Sequence, residues 1–285
     1  MTKTETETES PPKSAIVVLT RGYATITNYH ILIKRNLAIA KCIGSMKEMD
    51  ILIFHEGNIT PSHQKHISSF TPQLQLFFIC IKEHAFKDEK KNIPIYQPTN
   101  TFGLNYRHMC SFWFVDFWNY VKEYDMILRI DEDCLIDFSI PDVFDILKNK
   151  AVVYGAWSRD QVFVTHGLNQ FTHSFLQDYV PESEDIPQHN PSGPYTNVIG
   201  LHLSHLRKNE LLQQYIKEID ASNHIYTFRW GDLPLWGEVL YYMCDPKSYC
   251  KTDKIKYFHG SHNIIVENNT IKANKNNIFS KMNFL

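Results

Sequence analysis

Long apolar runs are missing from this sequence. Nothing in it approaches the ~20 consecutive apolar residues that a membrane span needs, and the polar N-terminus lacks the apolar stretch of a signal peptide. The expectation is a chain with no transmembrane segment that works in the cytoplasm. A surplus of positive charge is missing too. Lys and Arg number 29 against 31 Asp and Glu, a formal charge of −2, which argues against a dedicated nucleic-acid binder. The six cysteines, Cys42, Cys80, Cys110, Cys134, Cys244 and Cys250, form no CxxC pair and no zinc spacing. Several sit in apolar stretches, so reduced, buried thiols are expected. No internal repeat is present.

What remains suits one large α/β domain or two small ones. The 285 residues are enough to bury a sizeable core. Aromatics are plentiful, with 18 Phe, 15 Tyr and 5 Trp; aromatic clefts suit sugars and bases, but most of these rings are expected in the core. Residues 1–13 carry Thr-Glu repeats and two prolines and read as a disordered tail. Residues 15–19, 50–54 and 74–79 read as strands, 31–43 as a helix, and Pro61 as the first turn of another helix capped by Thr60. That rhythm argues for a mostly parallel, doubly wound sheet. Residues 105–121 read as one buried helix, with further helices at 141–147 and 208–219. Strands are expected at 151–157 and 197–203, and a last one at 255–258. Residues 181–194, rich in Pro, Ser, Glu and Asp, read as a mobile excursion. The expected domain spans 14–265, with a nucleotide-binding half at 14–135 and an acceptor half at 136–265; 266–285 is read as a polar tail.

The chemistry gathers around Met126-Ile-Leu-Arg-Ile-Asp131-Glu132-Asp133, an apolar run that ends in three acids. As a buried strand it delivers those acids to the carboxyl edge of the sheet, where open α/β folds collect ligands. On extended backbone Asp131 and Asp133 share a face and Glu132 points elsewhere. Two carboxylates so placed can hold a hard divalent cation and, through it, a diphosphate. Thr20, Arg21 and Tyr23, in the turn after the first strand, lie at the same edge, where Arg21 could meet a base or phosphate. Tyr106, Arg107 and His108 open a helix whose free N–H groups favour anions. Arg229-Trp230-Gly231-Asp232 opens another, with Asp232 in its first turn.

Three of these stretches, in order, resemble the fungal Golgi α-1,2-mannosyltransferases of glycosyltransferase family 15. They are Tyr106-Arg107-His108-Met109-Cys110, Arg129-Ile-Asp131-Glu132-Asp133 and Arg229-Trp230-Gly231-Asp232. The resemblance spans roughly residues 14–262. It implies a GT-A fold, an α/β Rossmann-like sheet flanked by helices. It implies Mn²⁺ (or Mg²⁺), a nucleotide-sugar donor that is GDP-mannose in the family, and a glycan or glycoconjugate acceptor. Carried over, Asp131 and Asp133 hold the metal, and a late histidine completes its shell: His259, which directly follows a strand, or alternatively His262. Thr20, Arg21, Tyr23, Tyr106, Arg107 and Asp131 fall on the donor side. Asn197, Arg229, Trp230 and Asp232 fall on the acceptor side.

Two features depart from the family. Its Ser-Asn-Phe-Glu segment, whose Glu is a proposed nucleophile, is matched here by Thr196-Asn197-Val198-Ile199 without the acid. The family's N-terminal Golgi membrane anchor has no counterpart. Several roles stay open at this level. Arg107 could hold phosphate through paired N–H groups or form an ion pair with an acid such as Asp116. Trp230 and Trp236 could stack on a sugar or fill the core. Asp232 could act as a general base, orient the acceptor, or only cap its helix. A calcium loop is excluded, since Ile136 stands where such a loop needs Gly and Asp142 where it needs Glu. Two alternatives to a transferase remain: a catalytically inactive nucleotide- or sugar-binding protein, and a phosphohydrolase of the haloacid dehalogenase type.

Overall fold

The computed structural model describes residues 12–180 and 190–274. The chain begins with β1 (Ser14–Leu19), α1 (His30–Cys42), β2 (Asp50–His55), α2 (Pro61–Ser69) and β3 (Gln75–Cys80). After α3 (Leu104–Ser111) come β4 (Met126–Ile130), β5 (Cys134–Ile136), α4 (Ile140–Leu147), β6 (Val152–Tyr154) and β7 (Trp157–Ser158). The second half runs through α5 (Leu168–Tyr179), β8 (Gly193–Pro194), β9 (Val198–His202), α6 (Leu203–Arg207), α7 (Glu210–Ser222) and α8 (His224–Phe228). It closes with α9 (Asp232–Tyr242), β10 (Tyr249–Lys251), β11 (Tyr257–His259), β12 (Ile264–Glu267) and β13 (Thr270–Ala273).

Seven strands make the central sheet in the order β10-β6-β9-β4-β1-β2-β3. It is mostly parallel, as the strand–helix rhythm predicts; only β9 runs against its neighbours β4 and β6. From β1 the chain builds outward through β2 and β3 on one side and returns as β4 on the other. Between β1 and β4 the strand order reverses, and a crevice opens at the carboxyl ends of such strands. All five residues of β4 are buried, as its apolar run demands. One face packs aliphatic side chains such as Leu128, Ile130, Val143 and Leu147. The other is aromatic, with Phe54, Phe112, Trp113, Phe114, Phe117, Trp230 and Trp236.

Local chemistry sets many of the boundaries. Thr60 accepts the His63 N–H and Pro61 takes the first turn of α2, as expected. Ser139 and Asn209 cap α4 and α7 in the same way. All six cysteines are free.

Several expectations change. The helix read at 105–121 breaks: α3 ends at Ser111, a π-turn covers Phe112–Asp116 and a 3₁₀ turn covers Phe117–Asn119. The wider turn carries the consecutive rings Phe112, Trp113 and Phe114, all of which reach the core. The strand read at 151–157 is interrupted, with β6 in the large sheet and β7 paired to β8. Strand β11 is not the last. Residues 264–273, partly assigned to a polar tail, form a β12–β13 hairpin that joins β11 and β5 in a four-stranded antiparallel sheet. Its turn residues Asn268 and Asn269 both have positive φ, 48° and 61°, as a type I′ hairpin turn requires and asparagine tolerates. Helix α5 was not anticipated, although Leu168, Phe171, Phe175 and Leu176 recur at helical spacing. The expectations for residues 1–11, 181–189 and 275–285 lie outside the described residues.

Candidate active site

A cavity of about 950 Å³ opens at the carboxyl ends of β1, β2 and β4. Its walls include Thr20, Arg21 and Tyr23 after β1, Glu56 after β2, and Asp131, Glu132 and Asp133 after β4. Tyr106, Met109 and Trp113 close one side, and Gly260, Ser261 and Asn263 another.

The three acids do not continue the strand. The Cys134 N–H donates to Asp131 O at 3.1 Å, so the chain turns between β4 and β5. Alternation of faces therefore fails here, and all three acids line the cavity, each with different partners. Asp131 is held by Arg129, whose Nε and Nη2 donate to Oδ1 and Oδ2 at 2.7 and 3.0 Å. Asn197 Nδ2 adds a third bond at 3.1 Å. Glu132 accepts from the Tyr23 hydroxyl at 3.1 Å; burial pushes its carboxyl up, partly opposed by hydrogen bonds from Thr20 and Tyr23.

Asp133 faces the opposite way. Its Oδ2 accepts the Ser261 N–H at 2.8 Å and lies 3.4 Å from His259 Nε2. Burial alone would raise this carboxyl, but the bonds from His259 and Ser261 outweigh it and hold it well below the usual carboxylate range. Strand pairing makes the juxtaposition, because His259 of β11 is the register partner of Cys134 in β5. Asp133, Cys134 and His259 bring one ligand atom each within 4.8 Å of one another. Cys134 is fully buried beneath the other two. Asp131, expected as a metal ligand, lies outside this group; its oxygens accept from Arg129 and Asn197. His262, the alternative ligand, packs its ring 4.6 Å from that of His259 and stays exposed.

Arg129 joins the two motifs. Its third guanidinium nitrogen, Nη1, donates to Asp232 Oδ2 at 2.5 Å, and its guanidinium lies over the Trp113 ring at 4.1 Å. Burial would lower its pKa, but Asp131 and Asp232 reverse that, so it stays protonated. Asp232 sits at the first residue of α9, where the helix N-terminus favours a carboxylate. The first-turn placement was legible; the arginine between Asp131 and Asp232 was not.

Other expectations divide. Arg107 does not face the cavity. It is 1% exposed and spends its donors on Thr99 O, Phe102 O and Tyr226 O at 2.6, 3.2 and 2.6 Å. It is a clamp on backbone carbonyls, neither a phosphate ligand nor a partner of Asp116, which instead accepts from Ser111. Trp230 is also internal, with no exposure; its Nε1 donates to His166 O and its ring stacks on Phe228. Trp236 packs edge-on to Phe114. Neither indole offers a face to a sugar. Arg229 is nearly buried, adopts a left-handed φ of 64°, and bridges Asp160 Oδ2 and Tyr106 Oη at 2.8 and 2.6 Å. It therefore acts on the cavity through Tyr106, which is 40% exposed. Gly231 leaves room for that bridge, since a Cβ there would stand 2.9 Å from Asp160 Oδ2. Sequence reading missed Asp160, Tyr195 and Ser261; only the fold brings them here.

No family model matches this sequence, and no curated protein does. Solved structures do match. The mannosyltransferase Ktr4p from S. cerevisiae superposes with a TM-score of 0.72 at 18% identity, over 87% of this chain and 70% of that one. Core-mannan synthase A from Aspergillus fumigatus, in its Mn/GDP form, gives 0.71 at 15%, over 89% and 76%. The fold is GT-A. Mouse xyloside xylosyltransferase 1 shares it more loosely, with a TM-score of 0.52 at 12% identity, over 85% and 86% of the two chains. The resemblance that three short motifs suggest thus holds at the level of the GT-A fold.

Proposed function

We propose that this chain is a metal-dependent glycosyltransferase that moves a sugar from a nucleoside-diphosphate donor to a hydroxyl of a glycan or glycoconjugate. One observation carries the reading. An ionised carboxylate, Asp133, lines a cavity large enough for a nucleotide sugar, and a buried imidazole, His259, meets it at 3.4 Å. A second carboxylate, Asp232, is held near that cavity by Arg129. Structures of the same fold with GDP, or with Mn and GDP, support the donor class, and mannose is the first sugar to test.

The donor set fits a borderline-hard divalent ion such as Mn²⁺, with Asp133 and His259 as protein ligands. When bound, that ion supplies Lewis-acid stabilisation of charge on the departing diphosphate. The chain's own residues do the rest. Thr20, Arg21, Tyr23 and Glu132 form the nucleotide side. Tyr106, braced by Arg229, limits the sugar side. Asp232 accepts the acceptor hydroxyl's hydrogen bond with the oxygen that Arg129 leaves available. With its Oδ2 engaged by Arg129 Nη1, Asp232 takes an orienting role rather than general-base catalysis.

The test is nucleoside diphosphate release from GDP-mannose and other nucleotide sugars, with and without Mn²⁺. The expected result is turnover that requires the metal and vanishes in Asp133→Ala. Full activity in that variant would defeat the metal assignment. Nucleotide binding without turnover toward any donor would leave an inactive binding protein.

A further inference from the structure

We propose that Tyr195 is the positioning residue that accepts the Nδ1–H of His259, so that Nε2 meets Asp133 with its lone pair, and that it thereby sets how tightly the site holds a divalent cation. The inference rests on the metal assignment above. Tyr195 follows β8 and is fixed by its N–H, which donates to Ala156 O at 2.8 Å. Its hydroxyl lies 2.7 Å from His259 Nδ1. On the other side of the ring, Nε2 lies 3.1 Å from Ser261 Oγ and 3.4 Å from Asp133 Oδ2.

A neutral imidazole carries one N–H and one lone pair. With the proton on Nδ1, the ring donates to Tyr195 Oη. Nε2 then turns a lone pair toward the lone pairs of Asp133 Oδ2, and a gap between two such acceptors calls for a cation. With the proton on Nε2, Tyr195 donates to Nδ1, Nε2 donates toward Asp133, and that nitrogen cannot ligate. A tyrosine hydroxyl serves both tautomers because it donates and accepts. Phenylalanine serves neither. His259 is 3% exposed, so water does not replace the lost acceptor, and the Nδ1–H form required for ligation becomes the costlier one.

Tyr257 provides the control. It is also buried and sits two residues from His259 on β11, yet among the described residues its hydroxyl has no hydrogen-bond partner. Mn²⁺ affinity is measured by electron paramagnetic resonance with GDP present, for wild type, Tyr195→Phe, Tyr257→Phe and His259→Ala. Tyr195→Phe is expected to weaken Mn²⁺ roughly ten- to a hundredfold, and Tyr257→Phe to leave it within about twofold, because it removes no outer-shell bond. Wild-type affinity in Tyr195→Phe overturns the proposal and leaves the metal assignment standing. Equal affinity in wild type and His259→Ala removes the metal assignment and this inference with it. A measurement on unmutated protein guards against misfolding. Imidazole ¹⁵N shifts of His259 with diamagnetic Mg²⁺ and GDP should report a protonated Nδ1, and a protonated Nε2 in the loaded protein refutes the proposal.

Discussion

One guanidinium serving two carboxylates is the feature from which the site is built. Arg129 is the sole polar member of an apolar strand, and it is 3% exposed while bonded to Asp131 and Asp232. Removing one partner of a buried ion group strands the others, which costs far more than a surface pair is worth. Arg129→Met should therefore lower unfolding free energy by about 3–5 kcal/mol, read by urea denaturation. A change under about 1 kcal/mol would mean the pair is solvated. Asp232→Asn keeps the shape and one acceptor oxygen. It should cost less stability than Arg129→Met, because Arg129 keeps Asp131 as a counter-ion, and lose most of its transfer rate; near-normal turnover would remove Asp232 from the reaction. Of these roles the sequence shows the acids plainly, since a strand that ends in Asp131-Glu132-Asp133 announces itself. It hides their partners. The turn closed by Cys134 N–H reverses the simple alternation of faces, so Asp133, not Asp131, meets the late histidine. Arg107 misleads for a related reason: a helix-start arginine looks free in sequence, and only the carbonyls of Thr99, Phe102 and Tyr226 reveal where it is spent.

At the scale of elements, close approach does what side-chain packing cannot. Helix α9 lies against the short strand β8 with glycines facing each other. A Cβ on Gly237 would stand 1.7 Å from Ser192 O, and one on Gly193 1.9 Å from Leu233 O. Gly237→Ala should separate the two and cost more than about 3 kcal/mol, with Asp232 displaced as well. Soluble protein with unchanged melting temperature and activity would contradict that packing. The π-turn at Phe112–Asp116 brings a second consequence. Burial pushes the Asp116 carboxyl up to about 7, opposed by the Ser111 hydroxyl bond and by the charges of Lys90 and Lys87. An acid whose folded value lies above its unfolded one binds protons preferentially in the folded state, so stability falls as pH rises from about 4 to about 7. Asp116→Asn should match wild type near pH 4 and exceed it by on the order of 4 kcal/mol at pH 8. An equal difference at both pH values would rule the carboxyl out as the cause. Elements with strong caps, such as α2 behind Thr60, were legible. The π-turn was not, because its run of rings satisfies a buried helix equally well. The β12–β13 hairpin had its Asn-Asn turn in view, but flanks of only four residues each concealed it.

For the whole molecule, the parallel order of β1 to β4 follows from hydrophobic runs alternating with helices, and it places the cavity at the strand-order reversal without further information. What the sequence could not supply is the second sheet. It brings β11 beside β5 from across more than a hundred residues and so creates the Asp133–His259 pair. A ligand that binds only the folded state raises its melting temperature, and if the cation and diphosphate share the site each should need the other. The most direct measurement is therefore a thermal-shift titration with GDP, UDP and ADP, each with and without Mn²⁺, on wild type and Asp133→Ala. One nucleotide together with Mn²⁺ should raise the wild-type melting temperature well beyond either alone, and Asp133→Ala should abolish the synergy. A shift that needs no metal, or that survives the substitution, would contradict a cation-bridged diphosphate at this sheet edge.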